Sequence, residues 1–328
     1  MSKAIEFDKW FNPKLQPIEC GIELELLLFD ARNKEPLNNQ SLVERILNNL
    51  PSQVYRDFYP YQLELRTKPH SDPKGIVDET RELYQIASKE FLKHRIYVIP
   101  APSIVREGYT HCGLHAHISY PEDRNKEIYY KKAMGMYPFI LALADHSKNF
   151  EIGDIHTSDR MEKSQHIGLP ELVADRFMDI HRDRRKYKDL IYSPCITEDG
   201  NRSRMKKPAT IEIRLLDTPS LFNFFEFIIY YITNIAGRIK TDNPMVKLLN
   251  EDFQESSNRL SMTRNLLINQ RYGVNKIFRM LNSDICDEVS TYCGIKFPRE
   301  TQFEYRERLG LSANVNGYLS MTTKGGWL

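Results

Sequence analysis

Glu23 and Glu25 stand two positions apart in the run IECGIELELLLFD, residues 18–30. A strand alternates sides at every residue, so both carboxylates project from one face, about 7 Å apart. Carboxylates that close raise each other's pKa unless something positive lies between them. A hard divalent cation such as Mg2+ supplies that charge; it takes oxygen ligands and commonly uses one or two carboxylates together with phosphates. Three more stretches repeat the arrangement. Gln62, Glu64 and Arg66 oppose Tyr61, Leu63 and Leu65. Gly113, His115, His117 and Ser119 oppose Leu114, Ala116 and Ile118, and Thr210, Glu212 and Arg214 oppose Ile211, Ile213 and Leu215. One charged strand face is as often an ordinary wet edge. Four together describe a basin lined by Glu23, Glu25, Glu64, His115, His117, Glu212 and Arg214.

The elements that must position these side chains follow from periodicity. A strand over 18–30 leads to a short helix over 40–50 that Pro51 ends. Residues 54–69 read as a second strand. Asp72 and Pro73 open a helix that runs to about His94, followed by an apolar strand over 96–100 and the histidine strand over 112–119. Helices are expected over 127–148 and 170–190, with a polar irregular stretch over 150–168 and a basic loop over 193–208. After the strand at 210–216 comes an apolar helix over 221–239, then amphipathic helices to 309 and an irregular tail over 311–328. Strands and helices do not alternate regularly, which excludes a doubly wound parallel sheet. The pattern predicts an α+β fold: a curved antiparallel sheet with helices packed on its apolar side and a helical C-terminal third. The 328 residues fit a single catalytic domain.

Bulk composition narrows the function classes. A net charge of +2 gives no general attraction to nucleic acid or to a membrane surface. No apolar run is long enough to span a bilayer, and MSKAIEFDKWF lacks the apolar core of a secretory leader. The five cysteines are odd in number and unevenly spaced, as expected of reduced thiols in a cytoplasmic protein. Cys286 and Cys293 have no second pair of matching spacing, so a zinc site is not expected.

GIELE at 21–25, QLELRT at 62–67, GLHAHI at 113–118 and TIEIRLLD at 210–217 occur in an order that resembles the carboxylate–amine ligases related to glutamate–cysteine ligase, within the glutamine synthetase-like superfamily. A weaker match is YPFILALADHS followed by TSDR, ending at Arg160. The resemblance covers about 17–220 and implies a bowl-shaped antiparallel sheet that binds ATP and two or three Mg2+ or Mn2+ ions. It implies one ion on Glu25 and Glu64, and another on Glu23, Glu212 and a histidine, with His115 favoured. It leaves His117 for a phosphate or the substrate carboxylate. Arg214, Arg66 and Arg160 would meet phosphate or carboxylate oxygens, for which a planar fork is suited. Arg204, in the basic RSRMKK loop, would contact the triphosphate. The implied partners are a glutamate-like amino acid and an amine. Superfamily members often self-associate, which leaves 221–239 open as either an interface or core. The chain departs from the family at 58–61, FYPY, where another acid is usual; Asp57 is the nearest candidate for that ligand.

Two rivals stand beside this reading. A hydrolase would use His115, His117 and a carboxylate to activate water on a metal, although carboxylates outnumber histidines here. A non-catalytic relative would bind a partner through its helical final third and would bind neither ATP nor metal.

Overall fold

Strand β1, Cys20–Asp30, is the axis of the sheet. The computed structural model describes residues 19–104, 110–119, 190–193, 210–236, 305–306, 308–311 and 315–328. The helices expected over 127–148 and 170–190 and most of the helical stretch over 243–309 lie outside those residues, as do Arg160 and Arg204. After β1 come α1 (Gln40–Leu47), β2 (Val54–Arg56), β3 (Gln62–Arg66), α2 (Pro73–Lys93) and β4 (Ile96–Ile99). Then follow β5 (Ser103–Ile104), β6 (Thr110–His111), β7 (Gly113–Ser119), β8 (Leu190–Ser193), β9 (Thr210–Asp217), α3 (Phe222–Ala236) and α4 (Val315–Lys324).

Seven strands form one open sheet in the order β2-β3-β1-β7-β9-β8, with β4 pairing the far half of β1. Every pairing is antiparallel. The α+β class and antiparallel sheet expected from the residue pattern are therefore present. Ile22, Leu24, Leu26 and Leu28 are at most 2% exposed and form the apolar side of β1. Helix α2 starts where expected: the Asp72 side chain accepts from Lys74 N and Pro73 stands at the first turn. It buries Ile76, Val77, Leu83, Tyr84, Ala87 and Phe91, and the Tyr84 hydroxyl donates to the Val98 carbonyl of β4. The residues of α3 that the sequence left open as an interface, among them Phe225, Ile228, Ile229 and Ile232, are buried as core within this chain.

The structure corrects the sequence reading in four places. Residues 54–69 are a hairpin of two strands, closed by Asp57 N donating to the Gln62 carbonyl and Gln62 N to Tyr59 O. Leu190–Ser193, between the expected end of a helix at 190 and the expected start of a loop at 193, is a strand paired with β9. The tail expected to be irregular contains α4, followed by a buried Trp327 whose indole donates to Ser220 O at 3.1 Å and packs on Tyr84, Phe222 and Phe225. Nor do the helices keep to the apolar side alone. Leu27 and Phe29 share the face of Glu23 and Glu25, yet they are buried in a cluster with Ile99, Leu221, Phe224, Tyr318 and Met321. Large apolar side chains on that half of the face need a cover, and α3 and α4 supply it.

Candidate metal centre

Antiparallel register lays the polar face out in three rows, because directly paired residues point the same way. Tyr55, Glu64 and Glu25 form the first row across β2, β3 and β1. Arg66, Glu23 and His115 form the second across β3, β1 and β7. Gly21, His117 and Glu212 form the third across β1, β7 and β9. A bulge on β9 between Ile213 and Leu216 lies opposite His115, and it returns Asp217, paired with Gly113 and fully buried, to the face of Glu212.

Side chains as far apart in the chain as Glu23 and Glu212 thus meet. His115 is 1% exposed and sits among three carboxylates: its Nδ1 lies 3.4 Å from Glu23 and 3.7 Å from Glu212, and its Nε2 lies 3.6 Å from Glu25. His117 Nε2 is 3.6 Å from Glu23, while its Nδ1 lies 3.2 Å from the Thr210 hydroxyl. Glu25 accepts from Gly113 N at 2.7 Å, and its backbone carbonyl accepts from the Thr218 hydroxyl at 2.7 Å. Arg66 donates to Glu64 and lies 3.4 Å from Glu23; Arg214 donates to Glu212.

Two groups could each hold a cation. Glu25, Asp57 and Glu64 bring one ligand atom apiece within 4.8 Å of one another, and so do Glu23, His117 and Glu212. The first contains both carboxylates expected to share an ion and adds Asp57 as the third. The second contains Glu23 and Glu212, with His117 as the imidazole of the trio; His115, favoured from sequence, lies between the two groups. His117 suits a ligand's role on a further count. Its buried Nε2 has no hydrogen-bond partner, while Thr210 engages the other ring nitrogen. A second contact of that kind is what commonly fixes a metal-bound imidazole.

The electrostatics of the two groups differ. Burial raises the Asp57 carboxyl to about 6, helped by the charge of Glu25. Burial and the nearby Glu23 raise Glu64 to about 8, against the pull of Arg66. Burial acts on Glu23 the same way, but the imidazoles of His115 and His117 beside it outweigh that and hold the carboxyl well below the usual range. Glu212 is also lowered: burial opposes this, and Arg214, His117 and His115 prevail.

A cavity of about 240 Å³ opens on the Glu23 flank, lined by Glu19, Gly21, Ile22, Glu23, Arg66, Thr67, Pro69, His117, Ser119 and Thr210. It offers a guanidinium, an imidazole, three hydroxyls and two carboxylates beside apolar walls. Asp57, named from sequence as the nearest candidate for a further acid, reaches the site beside Glu25 and Glu64. Sequence reasoning missed the Gly113 amide and the hydroxyls of Thr210 and Thr218, and only the position of Thr210 on the polar face hinted at any of these.

The fold is similar to that of solved structures at low sequence identity. A bifunctional glutathione synthetase from Pasteurella multocida is similar over 94% of this chain and 50% of its own, at 12% identity and a TM-score of 0.50. A novel glutamine synthase homologue aligns over 85% of this chain and 71% of its own, at 12% identity and TM-score 0.41. The Plasmodium falciparum glutamine synthetase aligns over 70% and 52%, at 16% identity and TM-score 0.43. The chain therefore spans about half the length of two of these proteins. No protein-family model and no curated protein sequence matches the chain. Among the described residues no helix is long and apolar enough to cross a membrane.

Proposed function

We propose that the protein is an ATP-dependent carboxylate–amine ligase, joining the side-chain carboxylate of a glutamate-like amino acid to an amine. The observation that carries this reading is the pair of three-ligand groups on one sheet face, linked through His115. Glu25, Asp57 and Glu64 would hold one Mg2+ or Mn2+. Glu23 and Glu212 would hold another with an imidazole of β7, either His117 of the compact trio or His115, whose Nδ1 reaches both carboxylates. The donor sets fit such ions: carboxylate oxygens suit Mg2+, and an imidazole among them suits Mn2+. When bound, the ions supply positive charge that lets two anionic reactants approach.

The chain's own residues then act as follows. Arg66 and Arg214 present guanidinium groups beside the carboxylates and can grip phosphate oxygens as charge develops. The cavity flanked by Arg66, His117, Ser119 and Thr210 is the proposed seat of the nucleotide. A carboxylate oxygen of the acid attacks the γ-phosphorus of ATP; ADP leaves and an acyl phosphate forms. The amine nitrogen attacks the acyl carbon, phosphate leaves with the bonding pair, and the nitrogen gives up a proton to yield the amide. Arg160 and Arg204 are proposed to reach the same reactants. A metal-dependent hydrolase is disfavoured because carboxylates outnumber imidazoles in both groups.

The test is ADP release by the full chain with ATP, Mg2+, glutamate and a panel of amines. Release that requires both acid and amine, and that Glu23→Gln abolishes, is expected. Undiminished turnover in Glu23→Gln would remove the assignment.

A further inference from the structure

The turn that closes β2 onto β3 reads Asp57–Phe58–Tyr59–Pro60–Tyr61. Turns favour Gly, Asn, Asp and Pro; here three aromatic rings occupy one. Phe58 is 79% exposed and Tyr59 40%, and Tyr55 on the adjoining strand is 41% exposed. These are half of the large apolar side chains exposed among the described residues, and they sit within five positions of one another.

The rings are held in place by the protein itself. Tyr59 stacks on Tyr61 with planes 3° apart and centroids 5.2 Å apart, and Phe58 meets Tyr59 edge-on at 4.9 Å. Tyr61 packs against the cluster that contains Leu27 and Phe29. Tyr59 N donates to Gln62 Oε1 at 3.3 Å, and Arg56 Nη1 donates to Asp57 O at 3.1 Å. Tyr55 lies in register with Glu64, and the Arg66 guanidinium sits 4.5 Å over its ring. Rings fixed beforehand lose little freedom when a further ring stacks on them.

Their placement says what they serve. Asp57 turns its carboxylate to Glu25 and Glu64, so the ring wall begins one residue from a group of three carboxylates. The cavity lies on the other flank, by Glu23 and His117. An amine arrives as a cation; three carboxylates around one divalent ion would still carry net negative charge to attract it, and the wall then offers a surface for its carbon skeleton. We infer that the Tyr55–Tyr61 turn is a binding site for an amine bearing a planar aromatic ring, the ring on Phe58 and Tyr59 and the nitrogen toward Asp57. The amine's role as the acceptor rests on the ligase reading above; the ring site itself does not.

The probes are 2-phenylethylamine and butylamine, which share a primary amine and differ in the ring. Saturation-transfer NMR on the full chain reads binding without turnover. The aromatic amine is expected to bind about tenfold tighter, with its ring protons receiving the most saturation. Phe58→Ser and Tyr59→Leu should each erase most of that preference, while Leu92→Ser, at a side chain 56% exposed elsewhere, keeps it. Equal binding of the two amines, or a preference that survives both substitutions, overturns the inference. So does a Phe58→Ser variant whose sedimentation shows a loss of self-association, since that would assign the rings to a contact between copies. If the preference holds but no amine supports ADP release, the ligase reading and the acceptor role fall while the ring site stands.

Discussion

Glu25, Asp57 and Glu64 are carboxylates alone, whereas Glu23 and Glu212 share their group with an imidazole. The two groups occupy one sheet face, yet they answer the same crowding differently. On the β7–β9 side His115, His117 and Arg214 bring enough positive character to keep Glu23 and Glu212 ionised below the usual range. On the β2–β3 side burial and neighbouring carboxylates prevail over Arg66 at Glu64 and over the Phe58 amide and Arg214 at Asp57, so Asp57 and Glu64 hold protons up to about 6 and about 8. Proximity of carboxylates alone does not set the demand for a cation; what matters is the charge already beside them. The all-carboxylate group is the one in greater need.

The strongest way to break that comparison is Glu64→Gln. It should lower ADP release at least about 100-fold, more than an outer-sphere change does. Equal activity would show that the group holds no working ion.

Next comes pH. Metal binding to the all-carboxylate group must displace a proton from Glu64 below about pH 8 and from Asp57 below about pH 6, so affinity for Mn2+ should rise about tenfold per pH unit between pH 6 and 8 and more steeply below pH 6. Calorimetry in buffers of different ionisation heat would register the released protons, and a flat profile would contradict the shifts. Stability runs the other way without metal. Raised carboxyl pKa values mean that the folded state binds more protons than the unfolded one between about pH 4.5 and pH 8. Metal-free protein should therefore lose thermal stability as pH rises through that window, and Mn2+ should flatten the slope. The depressed Glu23 and Glu212 act only at lower pH, where their contribution is lost as pH falls through their folded values.

The imidazoles sharpen the other half of the comparison. His115→Ala and His117→Ala should each weaken Mn2+ binding by some tens-fold. The substitution that also erases preference for Mn2+ over Mg2+ marks the direct ligand, and the compact trio expects it of His117. The smallest effect should come from Thr210→Val, about tenfold in Mn2+ affinity, through loss of the contact to His117 Nδ1.

How much of this was legible in the chain divides along physical lines. The parity of Glu23, Glu25, Glu64, His115, His117, Glu212 and Arg214 was readable because a strand's period of two leaves no other arrangement once one side is apolar. Which of those residues meet was not readable, since register depends on partners up to 193 positions away. Asp57 could be named from sequence only as the nearest candidate, because it lies just beyond a three-residue strand and its reach depends on how the turn closes. The β9 bulge defeats parity outright: counting by twos from Glu212 puts Asp217 on the wrong side. Helix α4, VNGYLSMTTK, carries a glycine and β-branched residues of low helical propensity. Its helical form comes from burying Val315, Tyr318 and Met321.

Trp327 has a consequence for how fast the molecule can assemble. Its indole reaches the Ser220 carbonyl across 107 positions, two residues past Thr218, whose hydroxyl reaches Glu25 across 193. Contacts of such span close large loops before any stabilisation is gained, and chains built on them reach the native state slowly. After dilution from denaturant, helical signal should return well before the indole fluorescence of the buried tryptophan, and competence to take up cations should track the later phase.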